Sequence, residues 1–177
     1  MSVTARRGNR RVRRRSTAVT EALDALPTIT VLHDCRAGGT RRRFAGPPID
    51  HLVIAPSGVW VVDAKTHYGP LEVRRFGGGL TPRVEQLFIN NRERTPLITV
   101  VGQQVAAVEA ALAGHAVSVR GVICFLDSVL PWVTETVAGI PLVNQDDLLA
   151  LIEQDGELDT DARAAVAALL QPRLLPG

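Results

Sequence analysis

Lysine is almost missing from this chain. Of its 20 basic residues, 19 are arginine and only Lys65 is lysine. Arginine would serve an ordinary solvated position here, so a lysine kept at one place indicates a specific role. Its ammonium group is a compact charge with rotatable donors, and its pKa shifts readily when it is partly buried.

Cysteine and long apolar runs are also scarce, and each absence excludes a class of protein. Cys35 and Cys124 lack the paired spacing of a zinc site or a disulfide framework, which favours two small buried thiols and a reducing cytoplasm. No stretch is long enough for a membrane span, no secretory signal is recognisable, and we expect no membrane partner. No nucleotide-binding fingerprint is present, which argues against NTP hydrolysis.

Aromatic residues make up only 4% of the chain. So small a supply argues against recognition of single strands by base stacking. Trp60 and Trp132 are accordingly predicted to be core residues.

Acidic residues are absent from the first 15 positions, which hold seven arginines (Arg6, Arg7, Arg10, Arg11, Arg13, Arg14 and Arg15). Because the whole chain has a net charge of +2, the remainder carries −5. Composition therefore predicts a basic disordered arm, 1–15, and one globular domain, 16–177. The arm either contacts phosphates or is only solvated.

Helical and strand periodicities alternate along the globular part and predict an α/β domain. A short helix at 16–26 precedes a strand at 28–34 and a basic loop at 35–48. The runs IDHLVIA and VWVVDAK flank the turn PSG as a hairpin, and both are apolar on two faces, as in a sheet covered by helices.

The rest of the pattern gives shorter strands and three further helices. PLEVRRF, GLTPRVEQ and QLFINNRER read as separate, partly exposed strands with GGG and NN as turns. A helix follows at 96–114, then the buried strand VSVRGVICFL, a strand and helix in IPLVNQDDLLALIEQ capped by Asn144, and a last helix in DTDARAAVAALLQ.

The hairpin brings chemistry to one place. Asp63 and Lys65 share one face of their strand because side chains alternate, and counting outward from the turn puts Asp50 opposite residue 63 or 64. Two carboxylates can hold Mg²⁺ with waters, while a nearby ammonium orients water or offsets charge on phosphorus. The set therefore indicates metal-assisted phosphodiester hydrolysis; the alternative is an ordinary surface pair.

The stretch IDHLVIAPSGVWVVDAKTHYGPLEV, 49–73, resembles the signature of the nuclease-related domain family, NERD, in the PD-(D/E)xK superfamily. It shows an IDH-type acid, a PSGV hairpin, and an acid-x-lysine followed by a glycine and a strand. Weaker similarity extends to about residue 154. The resemblance implies a restriction-endonuclease-like core, with a central mixed β-sheet flanked by helices.

The same resemblance implies roles for particular residues. Asp50 and Asp63 would be ligands of Mg²⁺ or Mn²⁺, and Lys65 the catalytic lysine. Of the two glutamines on the helix after the sheet, Gln104 lies on its apolar face and is the expected site residue, whereas Gln103 is expected to be solvated. DNA is the expected partner, and a homodimer is compatible with cutting both strands. Phosphate contacts are expected from Arg41, Arg42, Arg43, Arg11, Arg13, Arg14 and Arg15, so binding should weaken with salt.

The chain departs from the family pattern on its first helix. Where the superfamily commonly has a glutamate, this sequence has Ser16, and the nearby Glu21 falls on the polar face. Glu72 is a candidate substitute from an adjacent strand. His51 and His67 either assist proton transfer or are hydrogen-bonded strand-end residues.

Two other functions remain open from the sequence. The missing acid favours a catalytically degenerate module of the same fold that binds nucleic acid or protein. A small-molecule enzyme using the same acids is the third reading, but it lacks a cofactor signature.

Overall fold

The computed structural model describes residues 17–37, 46–79 and 81–176. The arm arginines, Ser16 and Arg41 to Arg43, on which several predictions fall, lie outside the described residues. In chain order the described elements are α1 (17–24), β1 (Thr30–Ala37), β2 (Ile49–Ala55), β3 (Gly58–Lys65), β4 (Gly69–Gly78), β5 (Thr81–Ile89), β6 (Arg92–Glu93), α2 (Pro96–Ala111), β7 (Val119–Phe125), β8 (Ser128–Val129), β9 (Glu135–Val137), β10 (Ile140–Val143), α3 (Gln145–Ile152), α4 (Thr160–Leu170) and β11 (Leu174–Pro176).

A seven-stranded mixed sheet forms the centre, in the order β11-β1-β2-β3-β7-β10-β9. Strands β1, β2 and β3 pair antiparallel, whereas β3, β7 and β10 run parallel. The predicted hairpin of β2 and β3 is confirmed and lies in the middle of the sheet. The expected α/β class with a central mixed sheet flanked by helices is therefore confirmed.

Helices cover both faces of this sheet, which explains why β2 and β3 are apolar throughout. On one face, Leu52 and Val61 pack in a cluster that includes residues of α2, α4 and the base of β4 and β5. On the other face, Val53 and Trp60 pack in a second cluster with residues of α1 and α3. Trp60 is buried, as predicted.

A second sheet, in the order β6-β5-β4-β8, projects after β3. The two strands predicted at GLTPRVEQ and QLFI form the single strand β5. It is continuous because it pairs with β4 from Leu71↔Ile89 to Phe76↔Val84, a long-range ladder that local turn signals do not reveal. The predicted NN turn is confirmed, with Asn90 at φ 49° and Asn91 at φ 58°.

Strand β1 also differs from its predicted bounds, since it runs to Ala37 rather than ending at 34. Cys35 pairs with Ile49 and with Pro176, so distant partners extend the strand into a segment that reads as loop. The short strands β8, β9 and β11 escaped prediction for the same reason. Trp132, predicted to be in the core, is fully exposed between β8 and β9, so that prediction is wrong.

The helix boundaries follow local signals closely. Helix α2 begins at Pro96 and is followed by Gly114 at φ 86°, the predicted stop. Asn144 caps α3 by accepting a hydrogen bond from the Asp147 amide, as predicted.

Across the described residues, we find no helix with the length and apolar character needed to cross a bilayer.

Candidate active site

The β2–β3 hairpin sets the positions of the two acids. Its register runs from Ala55↔Gly58 to His51↔Val62, and the next step outward brings Asp50 beside Asp63. The Asp50 carboxylate accepts a hydrogen bond of 3.1 Å from the amide of Ala64. The structure thus brings together the acids that the sequence suggested, at the edge of the sheet where β2 begins and β3 ends.

Lys65 lies between these acids. Its Nζ is 2.5 Å from Oδ1 of Asp63 and 3.5 Å from Oδ2 of Asp50. Asp63 and Lys65 share a strand face, as the alternation predicts. One ammonium therefore bridges two carboxylates contributed by neighbouring strands.

The two carboxylates have different surroundings. Asp63 is only 3% exposed, and its Oδ2 is buried with no hydrogen-bond partner among the described residues. Burial raises the pKa of Asp63 to about 6, although the charge of Lys65 opposes the shift. Asp50 has 38% of its side chain exposed, so the pair offers one buried and one solvent-facing acid.

Lys65 stays charged in this setting. Burial by itself would lower the pKa of Lys65, but the negative charges of Asp63 and then Asp50 outweigh it, so the pKa is raised. The Lys65 side chain is 29% exposed, so it is partly open to solvent. Lys65 is thus a hydrogen-bond donor at neutral pH.

Gln104 reaches the same end of the sheet from α2. It is buried, and its Nε2 donates to the carbonyl of Pro48, two residues before Asp50. Its Oε1 is buried without a partner in the described part of the chain. Gln103 is exposed. The predicted orientation of the two glutamines is confirmed, while a role for Gln104 remains a prediction.

Neither candidate for the missing acid joins this set. Glu21 is exposed on α1, which packs on the sheet face opposite the one that carries Val61 and Asp63. The Glu72 carboxylate accepts two hydrogen bonds from Arg74 on the second sheet. The acids brought together are therefore Asp50 and Asp63.

The two histidines beside the acids have separate surroundings. His51 is buried, and its Nδ1 is 2.8 Å from Nδ1 of His33, whose Nε2 lies 3.0 Å from Asp24 on α1. This chain of contacts, which sequence reasoning missed, holds His51 toward α1 and confirms its hydrogen-bonded character.

His67 remains close to the site. Its ring lies 6.4 Å from that of Phe125, and burial, followed by the positive charges of Arg94 and Lys65, lowers the pKa of His67. Arg94, just before α2, is thus a further cation near the site. The sequence did not predict this proximity, because Arg94 and Lys65 are far apart in the chain.

The donor set suits one hard cation. Mg²⁺ is usually held by one or two carboxylates with waters completing its octahedron, and the unpartnered Oδ2 of Asp63 is a buried acceptor of the required kind. Within the described ranges, no group of three or more His, Cys, Asp or Glu side chains is arranged to hold a metal. Asp50 and Asp63 would therefore depend on water or substrate oxygens for the remaining ligands.

A mixed sheet covered by helices, with two acids and a lysine on its central hairpin, defines a nuclease-like α/β domain. Comparison with protein families gives the same answer for most of the chain. Residues 11–126 match NERD, the nuclease-related domain, and the chain belongs to this family. No curated protein and no solved structure gives a significant match.

Proposed function

We propose that this protein is a metal-dependent nuclease that hydrolyses phosphodiester bonds in DNA. The observation that carries the proposal is the Lys65 ammonium lying between the carboxylates of Asp50 and Asp63. Membership of the nuclease-related family supports the coarse activity. The identity of the metal, the substrate and the roles of the residues are part of the proposal.

Asp50 and Asp63 would hold Mg²⁺ or Mn²⁺. When bound, such an ion polarises the phosphate and lowers the pKa of a coordinated water. Asp63 contributes a carboxylate that burial leaves poorly solvated, so it gains more from a cation than an exposed acid does. Asp50, anchored by the Ala64 amide, keeps one side of the site open to solvent.

Lys65 acts as a cation and a donor. Since its raised pKa keeps it protonated, it would orient the attacking water and stabilise negative charge that develops on the phosphate oxygens. Its reach to both acids also offsets their mutual repulsion before the metal binds. An arginine, with a planar guanidinium, would not fit this bridge in the same way.

Gln104 acts as a positioning residue. Its amide donates to the Pro48 carbonyl and so fixes the start of β2, which carries Asp50.

The arginine-rich arm and Arg41 to Arg43 are proposed to contact the phosphates of DNA, which would make binding strongly salt-dependent. The two buried free thiols are in keeping with a reducing cytoplasm, and a homodimer would offer one site for each strand.

The test is cleavage of supercoiled plasmid and of labelled single-stranded DNA in Mg²⁺, Mn²⁺ or EDTA. We expect metal-dependent cutting by the wild type and a loss of at least about a hundredfold in Lys65→Ala, because general electrostatic stabilisation of this kind contributes on that order. Arg74→Ala is the matched control, since it removes a partly exposed cation of the second sheet. Circular dichroism checks that both variants fold.

A degenerate binding module is the second candidate, because the structure assembles two acids and leaves Glu21 and Glu72 elsewhere. If the folded wild type cuts no substrate with either metal and still binds DNA, this second function replaces the first. Equal cutting by wild type and Lys65→Ala would remove the lysine from the mechanism.

A further inference from the structure

An exposed apolar strip begins where β3 and β7 end. Tyr68 and Trp132, with Val129 and Val133, are between about half and fully exposed, whereas the neighbouring Leu130 packs on the core. We call these four exposed residues the aromatic strip. Large apolar side chains grouped on a surface usually mark a binding site rather than chance exposure.

The segments that carry the strip leave the central sheet beside the candidate active site. Tyr68 follows Lys65 by three residues, and the Leu126 amide donates to the Lys65 carbonyl at 3.1 Å. Gly69 and Ser128 are paired neighbours in a parallel ladder, and the Ser128 hydroxyl donates to the His67 carbonyl at 2.9 Å. The two segments that carry the strip, at Tyr68 and at Val129, are therefore both hydrogen-bonded near the end of β3.

Trp132 lies at this same edge of the sheet. Strand pairing links Asp63 to Ile123, then to Leu142, and then to Glu135. Because β9 runs antiparallel to β10, the residues just before Glu135 project beyond the carboxyl end of β3. Three extended residues span at most about 10 Å, so Trp132 stays near both Val129 and Glu135.

The segment carrying Trp132 is held at both ends. Before it, Leu130 packs on the core; after it, the Glu135 carboxylate accepts a hydrogen bond from Arg75. The exposure of Trp132 is thus a property of an anchored loop, which can present the indole without first paying a large ordering cost.

Positive charge accompanies the aromatic surface. Lys65 precedes Tyr68 by three residues, and Arg94 lies beside β5, where its amide donates to the Leu87 carbonyl at 2.7 Å. Arg94 is half-buried, and its guanidinium makes no ion pair with any described residue. Arginine of this kind is suited to a phosphate oxygen next to the site.

We propose that the aromatic strip binds the unpaired bases of a nucleic-acid strand, with Tyr68 and Trp132 stacking on them and Lys65 and Arg94 attracting its phosphates. The inference rests on the proposed nuclease function and adds its substrate class, which is single-stranded or frayed nucleic acid. Duplex bases hide their faces by stacking on each other, whereas unpaired bases offer them to aromatic rings. The low aromatic content does not oppose this, because two well-placed rings suffice.

The test measures binding without cleavage. A fluorescein-labelled oligothymidylate is titrated in EDTA and followed by anisotropy. Its length of about 12 nucleotides lies within the range that single-strand-binding domains cover. An abasic strand of equal length keeps the phosphates and removes the bases, and a blunt duplex hides them. Tryptophan fluorescence gives a second signal, because Trp60 is buried and Trp132 is exposed.

We expect the oligothymidylate to quench Trp132 and to bind about tenfold or more tighter than the abasic strand and the duplex, as stacking energies imply. Trp132→Ala and Tyr68→Ala should each weaken binding of the oligothymidylate by a similar factor and leave the abasic strand unaffected. Val100→Ala is the control, since it removes an exposed apolar side chain from α2, an element that carries no part of the aromatic strip.

Unchanged affinity of Trp132→Ala for the oligothymidylate would overturn the proposal, as would equal binding of the abasic strand. A dimer in sedimentation that Trp132→Ala converts to monomer, with DNA binding intact, would also overturn it and assign the strip to self-association. These measurements use no metal, so failure of cleavage alone refutes the nuclease function and leaves the binding result to be judged separately.

Discussion

Asp63 is the residue at which stability and function conflict most directly. It is a buried carboxylate with one oxygen lacking a hydrogen-bond partner, compensated on the other by Lys65. Burying a charge that is only partly satisfied costs stability, and such costs concentrate at functional sites. We therefore expect an amide of the same shape to suit the folded state better than this acid.

We expect Asp63→Asn to stabilise the protein and to abolish metal-dependent cleavage. Burial raises the pKa of Asp63 from 3.8 to about 6, so the folded state holds the proton more tightly than the unfolded chain. Stability should then fall as pH rises from about 4 to 6, and the full cost, on the order of 3 kcal/mol, is present above pH 6.

Urea unfolding at pH 4.5 and pH 7.5 measures this effect. Asp63→Asn should gain about 1 to 3 kcal/mol at pH 7.5 and about a third as much at pH 4.5, where the carboxyl of the unfolded chain is already largely ionised. Asp50→Asn is the control, because its carboxylate is considerably more exposed. A loss of stability in Asp63→Asn at pH 7.5 would mean that the ion pair with Lys65 outweighs the cost of burial.

At the scale of elements, the contact between α2 and the sheet is set by one glycine. A side chain at Gly121 on β7 would come within 2.5 Å of Val101 and 3.0 Å of Val105 on α2. The helix therefore lies close to the strand, and this closeness brings Gln104 to the Pro48 carbonyl.

We expect Gly121→Ala to destabilise the protein by about 1 to 3 kcal/mol, because the added methyl group overpacks the helix against the sheet. Gly102→Ala on the exposed side of α2 meets no atom within 4 Å and should instead stabilise by up to about 1 kcal/mol through helix propensity. Thermal unfolding of the two variants compares them. If Gly121→Ala proves neutral, the helix can move away from the sheet at little cost.

How far the sequence predicts each element depends on where its partners lie. The β2–β3 hairpin was predictable because the turn and both strands are adjacent in the chain. The proximity of Asp50, Asp63 and Lys65 was predictable for the same reason. The orientation of Gln104 followed from helical periodicity. The continuity of β5 and the length of β1 were not predictable, since both depend on pairing rather than on local preference.

The exposed Trp132 shows a different limit. An apolar residue in a short segment looks the same in sequence whether it faces the core or a ligand, and burial decides between them only after the strands are placed. The neighbourhood of His67 and Arg94 likewise joins two segments that the sequence separates.

At the scale of the whole molecule, the two thiols report on cooperative unfolding. Burial raises the pKa of Cys35 to about 11 and that of Cys124 to about 12, and both are free and buried. We expect neither to react appreciably with a disulfide reagent at pH 8 in the native protein, whereas both react at once in urea.

The rates at low urea should separate the two. Cys124 lies in the central strand β7, so its exposure requires global unfolding, whereas Cys35 pairs with the short strand β11 and needs only local opening. Cys35→Ser should therefore remove the faster phase. Rapid reaction of both thiols without urea would contradict the buried positions.

The pairing of β1 with β11 also has a consequence for the order in which a ribosome delivers this chain. The hairpin that carries Asp50, Asp63 and Lys65 emerges early, but the outer edge of β1 is covered only when residues 174–176 arrive, more than a hundred residues later. At roughly 5 to 20 residues per second, this interval lasts several seconds or longer. During that time the nascent chain presents an open backbone edge, the feature most prone to aggregation in a growing sheet.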